Sequence, residues 1–554
     1  FWSFRPLPAV QAAVVKPESL VWANGPIDTF IQQGLDRLSL QPAPRAAGPV
    51  LQRRVHFALT GLPPRDDEVL ADDNLSEDQY ARMVDALLAS PEFGERWSRM
   101  WLDLVRYVDE TPNYLSSAER AWLYRDWIIR AFNEDLPYDD FVRRQLAADH
   151  LEQLPPTELA ALGLLGLSPT FWKELRLSPE VISNIVADEW DERIDTVSRT
   201  FLGLSVACAR CHHHKFDPVT VQDYHALAGV IASSQLSERP LLEPAAAKIV
   251  QDARRQITAW EAELSKLPVE TSAVGAVLRG KIETTRSGTP RYQEPWAHVV
   301  EDSVLDVLPL GEEQTKLEFH PGKVRDLPVY RRGNLSDPGE LVPRRFLAVL
   351  SAGPPRLMNH GSGRVDLAEA LVHEAKPLTA RVMVNRLWAQ VFGQGLVTTP
   401  SDFGRQGERP THPELLDYLA ARFVEDGWSM KKLIREMVLS ATFQQDSYGT
   451  AQSRELDPTA QMLSRMPRRR LEIEQWRDNL LALTRKLDRR LYGPAEPLDQ
   501  PVFARRTLYG RVVREELNTM LRLYDFPEAS GHCPNRAPTT TPLQQLFVLN
   551  SPQM

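Results

Sequence analysis

The chain has 554 residues, 43% of them hydrophobic and 25% charged, a length that accommodates roughly two to four domains. It holds no apolar run long enough to span a bilayer, and a net charge of −9 argues against nucleic acid as the main partner. Three cysteines cannot build a disulfide framework, while 43 prolines and 28 glycines predict long connecting segments.

The opening stretch "FWSFRPLPAVQAAVVKPESLVWANGPIDTFI" predicts an extended lead-in over 1–45, with a short helix from Ile27. "LQRRVHFALTGLPPRDDEV" predicts a helix closed by Gly61 and the prolines behind it. In "SEDQYARMVDALLAS", Ser76 is a cap, and Tyr80, Met83, Val84, Leu87 and Leu88 share one face. "FGERWSRMWLDLVRYVDE" and "AWLYRDWIIRAFNEDLPYDDFVRRQLAADHL" predict further amphipathic helices, thick with Trp and Tyr. "SNIVADEWDERIDTVSRTFLGLSVACARC" predicts a long helix leading straight into two cysteines, and closes a helical domain over 46–235. Apolar residues at Ile249, Val250, Ala253, Ile257, Trp260, Leu264 and Leu267 alternate in threes and fours, which predicts a helical hairpin connector over 236–290. "DLPVYRRGNLSDPGELVPRRFLAVL" predicts short strands and turns over 291–350, and helical patterns return over 351–554. The fold class expected is mainly α: two helical domains joined by a helical hairpin and a short β-containing segment. In the second domain, Arg468, Arg469 and Arg470 fall in a run read as an Arg-rich helix with a solvated face, the alternative being a dock for an acidic partner or a sulfated glycan.

The stretch "VACARCHHHKFDPVT" places Cys208, Cys211, His212, His213 and His214 within seven positions. Cys-x-x-Cys-His is the attachment signature of c-type haem, in which two thiols add to the vinyl groups and the adjacent histidine reaches the iron. A structural zinc site also uses Cys and His, but zinc fingers separate their ligand pairs by about a dozen residues or more. A thioredoxin-like redox pair sits in a βαβ unit, and no such pattern lies nearby. Haem is favoured over zinc, redox chemistry and a chance match. Cys533 is then the odd thiol, read as a small buried hydrophobe. Covalent haem is attached outside the cytoplasm, so the reading predicts a periplasmic or extracellular protein with an exporting segment upstream of Phe1.

Longer blocks carry a resemblance. "RRVHFALTGLPP", "GERWSRMWLDLVRYVDE", "YRDWIIRAFNEDLPYDDFVRRQLA" and "DTVSRTFLGLSVACARCHHHKFDPVTVQDYHALAGVIASS" are similar to the cytochrome-associated domain of planctomycete-type cytochrome c proteins. "RGNLSDPGELVPRRFLAVL", "LTARVMVNRLWAQVFGQGLVTTPSDFGRQGERPTHPELLDYLA" and "NRAPTTTPLQQLFVLNSP" resemble the C-terminal domain of unknown function that accompanies it. The resemblance implies a large exported protein, a further cytochrome c domain as a candidate electron partner, and redox chemistry without naming a substrate. Two departures stand out: His213 replaces the family's Asp, and Gln390 and Val391 stand where many members carry histidines. Members also continue past the "LLN-x-P" motif, so the resemblance predicts that this chain stops short at Met554.

With that context the expected cofactor is one covalent haem c on Cys208 and Cys211, with His212 as the iron ligand. His214 is either a group tuning the iron or a propionate, or a residue shaping the loop. The sixth-ligand candidates are His150, His225, His360, His412, Met100 and Met358, with no spacing argument to choose among them. The haem is expected where the two domains meet, with Arg386 or Arg405 pairing a propionate. Arg106, Tyr107, Asp109, Arg125 and Asp126 are read as interhelical ion pairs, with haem or substrate contact as the alternative. The acidic stretch Asp188 to Asp195 is read as a solvated helix face, with calcium or a catalytic carboxylate as alternatives.

Three functions follow. The first is an exported haem-dependent oxidoreductase acting on an organic substrate, a polysaccharide being one candidate; its catalytic residues are not legible. The size of the chain supports it, since a carrier needs only one ordinary domain. The second is an electron-transfer cytochrome with a six-coordinate haem and a donor or acceptor protein as partner. The third is a glycan- or subunit-binding protein with structural haem.

Overall fold

The computed structural model describes residues 1–9, 22–70, 73, 75–111, 120–171, 174–267, 273–311, 313–500 and 502–551. Lead-in residues 10–21 and the terminal Met554 lie outside them.

Local signals set the first helices. Proline occupies the first turn of α1 (Pro26–Arg37) and of α2 (Gly48–Leu59), where its missing N–H costs nothing. Ser76 caps α3 (Glu77–Ala89) in a capping box with Gln79. α4 (Pro91–Leu104) buries Phe93, Trp97, Met100 and Trp101. α5 (Trp122–Asn133) and α6 (Tyr138–Ala147) pack around Trp101, whose ring meets Phe141 edge-on at 4.7 Å. A single turn α7 (Gly163–Gly166), then α8 (Pro179–Val197) and α9 (Val221–Ala232), complete the N-terminal half.

The connector is more than a hairpin. β1 (Ser234–Pro240) comes first, followed by α10 (Pro244–Leu264) and α11 (Ala273–Gly288). β2 (Trp296–Pro309) then returns antiparallel beside β1, with Ser237 opposite Val299, and β3 (Thr315–Pro321) extends the sheet with Val304 opposite His320. The hairpin is thus an insertion between neighbouring strands, and its seam is partial: Val250 and Ile257 are buried, whereas Ile249 is exposed. β4 (Leu327–Tyr330) and β5 (Pro338–Val342) form a separate ribbon.

The C-terminal half comprises α12 (Arg364–Val372), α13 (Lys376–Phe392), α14 (Pro413–Glu425), α15 (Met430–Leu439), α16 (Ala441–Gln444), α17 (Ala451–Leu456), α18 (Ile473–Leu483), α19 (Thr519–Leu523) and α20 (Pro542–Asn550). α18 starts at Ile473, so Arg468–Arg470 precede it in non-helical backbone and form no helix face. Pro467 makes Met466 shun the α region, so no helix runs into this stretch from upstream.

The fold is mainly helical with small sheets. One hydrophobic core runs from Ile27 to Phe526 and draws on both halves. The lead-in is part of it: Ser3 Oγ donates to the Phe403 carbonyl at 2.7 Å, and α1 packs on α14 and α16. Among the described residues no helix is long and apolar enough to cross a membrane.

Candidate functional site

α8 delivers the chain to the cysteine motif but stops short of it. It ends in a π-turn over Ser198–Leu202, and Gly203 takes left-handed backbone with φ 59°. A Cβ there would lie 2.9 Å from the Phe403 ring and 3.2 Å from Val382, so only glycine supplies both the conformation and the space. Periodicity alone missed this stop, because residues far along the chain impose it. The Phe403 N–H donates to the Gly203 carbonyl at 2.7 Å. Arg386 donates from its Nη atoms to the carbonyls of Arg199 and Thr200, closing the end of the helix. Arg386 is buried in that role and is not brought to the motif's surface.

Beyond Gly203, Val206–Ala209 is a 3₁₀ turn, and Arg210 keeps helical backbone (φ −57°, ψ −43°). Side chains three apart eclipse in such a turn, so Cys208 and Cys211 fall on one side of it. Both are exposed free thiols. The Cys211 sulfur packs against Gly333 in the turn between β4 and β5, where φ is 73° and a Cβ would approach it to 2.8 Å.

The three histidines separate by role. His212 is exposed; its Nδ1 donates to the His213 carbonyl at 2.6 Å, which leaves Nε2 as the bare lone pair. His213 accepts the Val221 N–H on Nδ1 at 3.2 Å, helping to close the start of α9. His214 is committed at both nitrogens: Nδ1 accepts the N–H groups of Phe216 and Asp217 at 3.2 and 2.8 Å, which makes Nε2 the donor to Ser205 Oγ at 3.2 Å. His214 therefore shapes the loop. Asp217 ties that loop to the C-terminal half by accepting the Arg405 N–H at 2.7 Å, while the Arg405 side chain stays exposed beside it.

Two family models match this chain. One, described as PSCyt2, protein of unknown function (DUF1549), covers residues 26–236; the other, PSD1, protein of unknown function (DUF1553), covers residues 363–554. The chain belongs to the planctomycete cytochrome c-associated domain-pair family. No curated protein and no solved structure matches it. The motif loop lies in the PSCyt2 half, and the residues that close it, Phe403 to Arg405 and Arg386, come from the PSD1 half.

The donor set fits a covalent haem. Two free thiols on one side of a turn and an imidazole with Nδ1 anchored to a carbonyl are what thioether attachment and axial ligation require. Among the described residues no group of three or more His, Cys, Asp or Glu is arranged to hold a metal ion directly. The sixth-ligand candidates are scattered. His225 alone lines the same small cavity as Arg210 and Gly333, and its nitrogens serve the Val221 carbonyl at 2.8 Å and the Tyr330 N–H at 3.1 Å. His150 pairs with Asp302 at 3.2 Å and His360 with Asp366 at 2.7 Å. His412 sits at the N-cap position of α14 without a side-chain capping bond, Met358 is buried against Gly363, and Met100 lines a cleft elsewhere.

The charged residues before the motif are structural. Glu192 takes Arg106 into a buried ion pair, and Arg125 pairs with Asp126 at 3.0 Å. Glu189 accepts the Phe171 N–H at 2.7 Å and pairs with Arg193 at 3.2 Å. Asp188 pairs with Arg210 at 2.6 Å and Asp195 with Arg199 at 2.7 Å. Four of the five carboxylates in the stretch are thus engaged by arginines or backbone rather than forming a solvated face, and the fifth, Asp191, keeps Oδ1 buried without a hydrogen-bond partner.

Proposed function

We propose that Cys208, Cys211 and His212 anchor one covalent c-type haem, and that the chain is an exported redox protein. The observation that supports this is the bare Nε2 of His212 beside two free thiols on one side of a turn. Bound there, the haem would supply one-electron chemistry. The residues of this chain would do the rest: His212 would ligate the iron, the Asp217–Arg405 contact would hold the loop, and the exposed Arg405 guanidinium would meet a propionate. Exposure of the motif favours electron exchange with a partner protein, a cytochrome c domain being the natural class. A haem-dependent oxidation of an organic substrate is the second reading, favoured by a ligand-sized cleft of about 870 Å³ elsewhere in the molecule.

The test is expression with export and haem-attachment machinery. The chain should keep its haem on a denaturing gel and gain one haem in intact mass. Cys208→Ser with Cys211→Ser should abolish both signals. Haem lost to acid–organic extraction from the parent, or a zinc ion in its place, would refute the assignment. Cyanide or carbon monoxide binding to the reduced or oxidised iron would move the reading to substrate chemistry, and an unreactive six-coordinate spectrum to electron transfer.

A further inference from the structure

A second site lies where α2 and α4 meet the end of α13 and the segments around 468–475 and 524–538. This cleft of about 870 Å³ is lined by nine arginines and three carboxylates, in a chain whose net charge is −9. Three of the arginines are neutralised: Arg96 by Glu472 at 3.0 Å, and Arg99 and Arg536 by Asp103, each at 2.7 Å. The other six have no carboxylate within 4.0 Å among the described residues.

What holds those six leaves their charge intact. Arg54 donates to the carbonyls of Phe443 and Gln445 at 2.5 and 2.7 Å, Arg469 to the Gln390 carbonyl at 2.7 Å, and Arg470 to the Thr539 carbonyl. Arg386 serves the carbonyls at the end of α8. Arg53 lies over the Phe57 ring at 4.6 Å and Arg468 over Tyr448 at 4.3 Å. Carbonyls and ring faces orient a guanidinium without cancelling it. The buried Nε atoms of Arg96 and Arg386 have no hydrogen-bond partner.

We propose that this cleft binds a multiply charged anion with a polar body, a ligand carrying several sulfate, phosphate or carboxylate groups on a hydroxylated frame. Guanidinium forks match such groups two bonds at a time, and cations on separate elements call for several anionic groups on one ligand. Gln390, Gln394, Asn535, Thr398 and Ser447, also in the lining, suit hydroxyl partners. Nucleic acid fits poorly, because the cleft's aromatic faces are already covered: Phe57 by Arg53, and Tyr524 by Arg470 at 5.7 Å and by Trp476 stacked at 5.1 Å. The volume takes one ligand of drug-like size. This site stands whether or not haem is attached.

Calorimetric titration with sucrose octasulfate, inositol hexakisphosphate and trigalacturonate tests it, and the tightest of the three identifies the anionic group. Binding should saturate at one site and weaken as salt rises. Arg53→Glu with Arg468→Glu should weaken it about 100-fold; both side chains are exposed, so the variant should melt like the parent. The neutral pair Arg53→Gln with Arg468→Gln should show a smaller loss, and Arg82→Glu, exposed on α3 outside the cleft, none. No saturable binding of any probe at low salt, or equal losses from Arg82→Glu and the cleft pair, would overturn the proposal.

Discussion

His212 and His214 stand two positions apart and do opposite jobs. The side chain of His214 is almost wholly buried, and its two nitrogens hold three groups of its own loop. His212 spends one nitrogen on a neighbouring carbonyl and keeps the other free at the surface. Removing the first should cost about 1–3 kcal/mol, because the N–H of the buried Asp217 loses its acceptor, as does that of Phe216. Removing the second should change stability by less than about 0.5 kcal/mol. Urea unfolding of His214→Ala and His212→Ala, both without haem, reads the difference, and equal effects would contradict the assignment of roles. With haem attached the order should invert: His212→Ala should retain the thioether-bound haem and lose the parent's spectrum, while His214→Ala should keep that spectrum. The candidate residues were legible in the sequence, because Cys-x-x-Cys-His is a contiguous pattern. It left the role of His214 open, since the groups that occupy its nitrogens become visible only once the loop has folded.

Helix starts were legible because they are local. The Ser76–Gln79 capping box and the prolines opening α1 and α2 are short-range signals that need no tertiary context. The end of α8 was not legible, since Phe403, Val382 and Arg386 impose it from the other half of the chain. Arg468–Arg470 were assigned to a helix for a related reason: their charge pattern suits a solvated face, and their walls come from α2, α4 and α13. Gly203→Ala should therefore cost at least about 2 kcal/mol, from the left-handed backbone and the close Phe403 ring together. A thermal melt within error of the parent would show that the helix end tolerates a side chain. At the start of α14, His412 is buried with Nε2 unpartnered, and burial together with Arg37 pulls it down to about 4. The unfolded chain takes up that proton at the ordinary histidine value near 6.5. The stabilising contribution is thus complete above pH 6.5 and shrinks as pH falls toward 4, by about 1.4 kcal/mol per unit. His532, which burial pulls down to about 3, adds a slope of the same sign. His412→Gln should flatten the pH dependence of stability by about one proton between those limits, and an unchanged slope would refute the buried neutral state.

At the scale of the molecule, the pair of family regions behaves as one body because charge as well as core crosses between them. Arg506 is buried between Glu95 of α4 at 2.8 Å and Asp478 of α18 at 3.1 Å, and Tyr509 donates to the other Glu95 oxygen at 2.7 Å. Arg536 joins Asp103 of α4 at 2.7 Å to Glu474 of α18 at 2.8 Å. Such pairs add little net stability over an apolar substitute, but losing one partner strands a buried charge. Arg506→Met should cost about 3–5 kcal/mol, since Glu95 and Asp478 would keep their burial and lose their cation. Arg435→Met provides the contrast: its partner Asp85 is half exposed, and water replaces the lost bond for at most about 1 kcal/mol. The two variants also differ in the shape of the transition. With one core running through both halves, calorimetry of the parent should show a single cooperative unfolding event. Arg506→Met should lower its midpoint while leaving it single, because the apolar contacts between the halves remain. Two resolved transitions in the parent would show that each family region folds alone and that the bridges at Arg506 and Arg536 only dock finished domains. A single transition that falls by several degrees in Arg506→Met and hardly moves in Arg435→Met would establish these buried arginines as part of one folding unit.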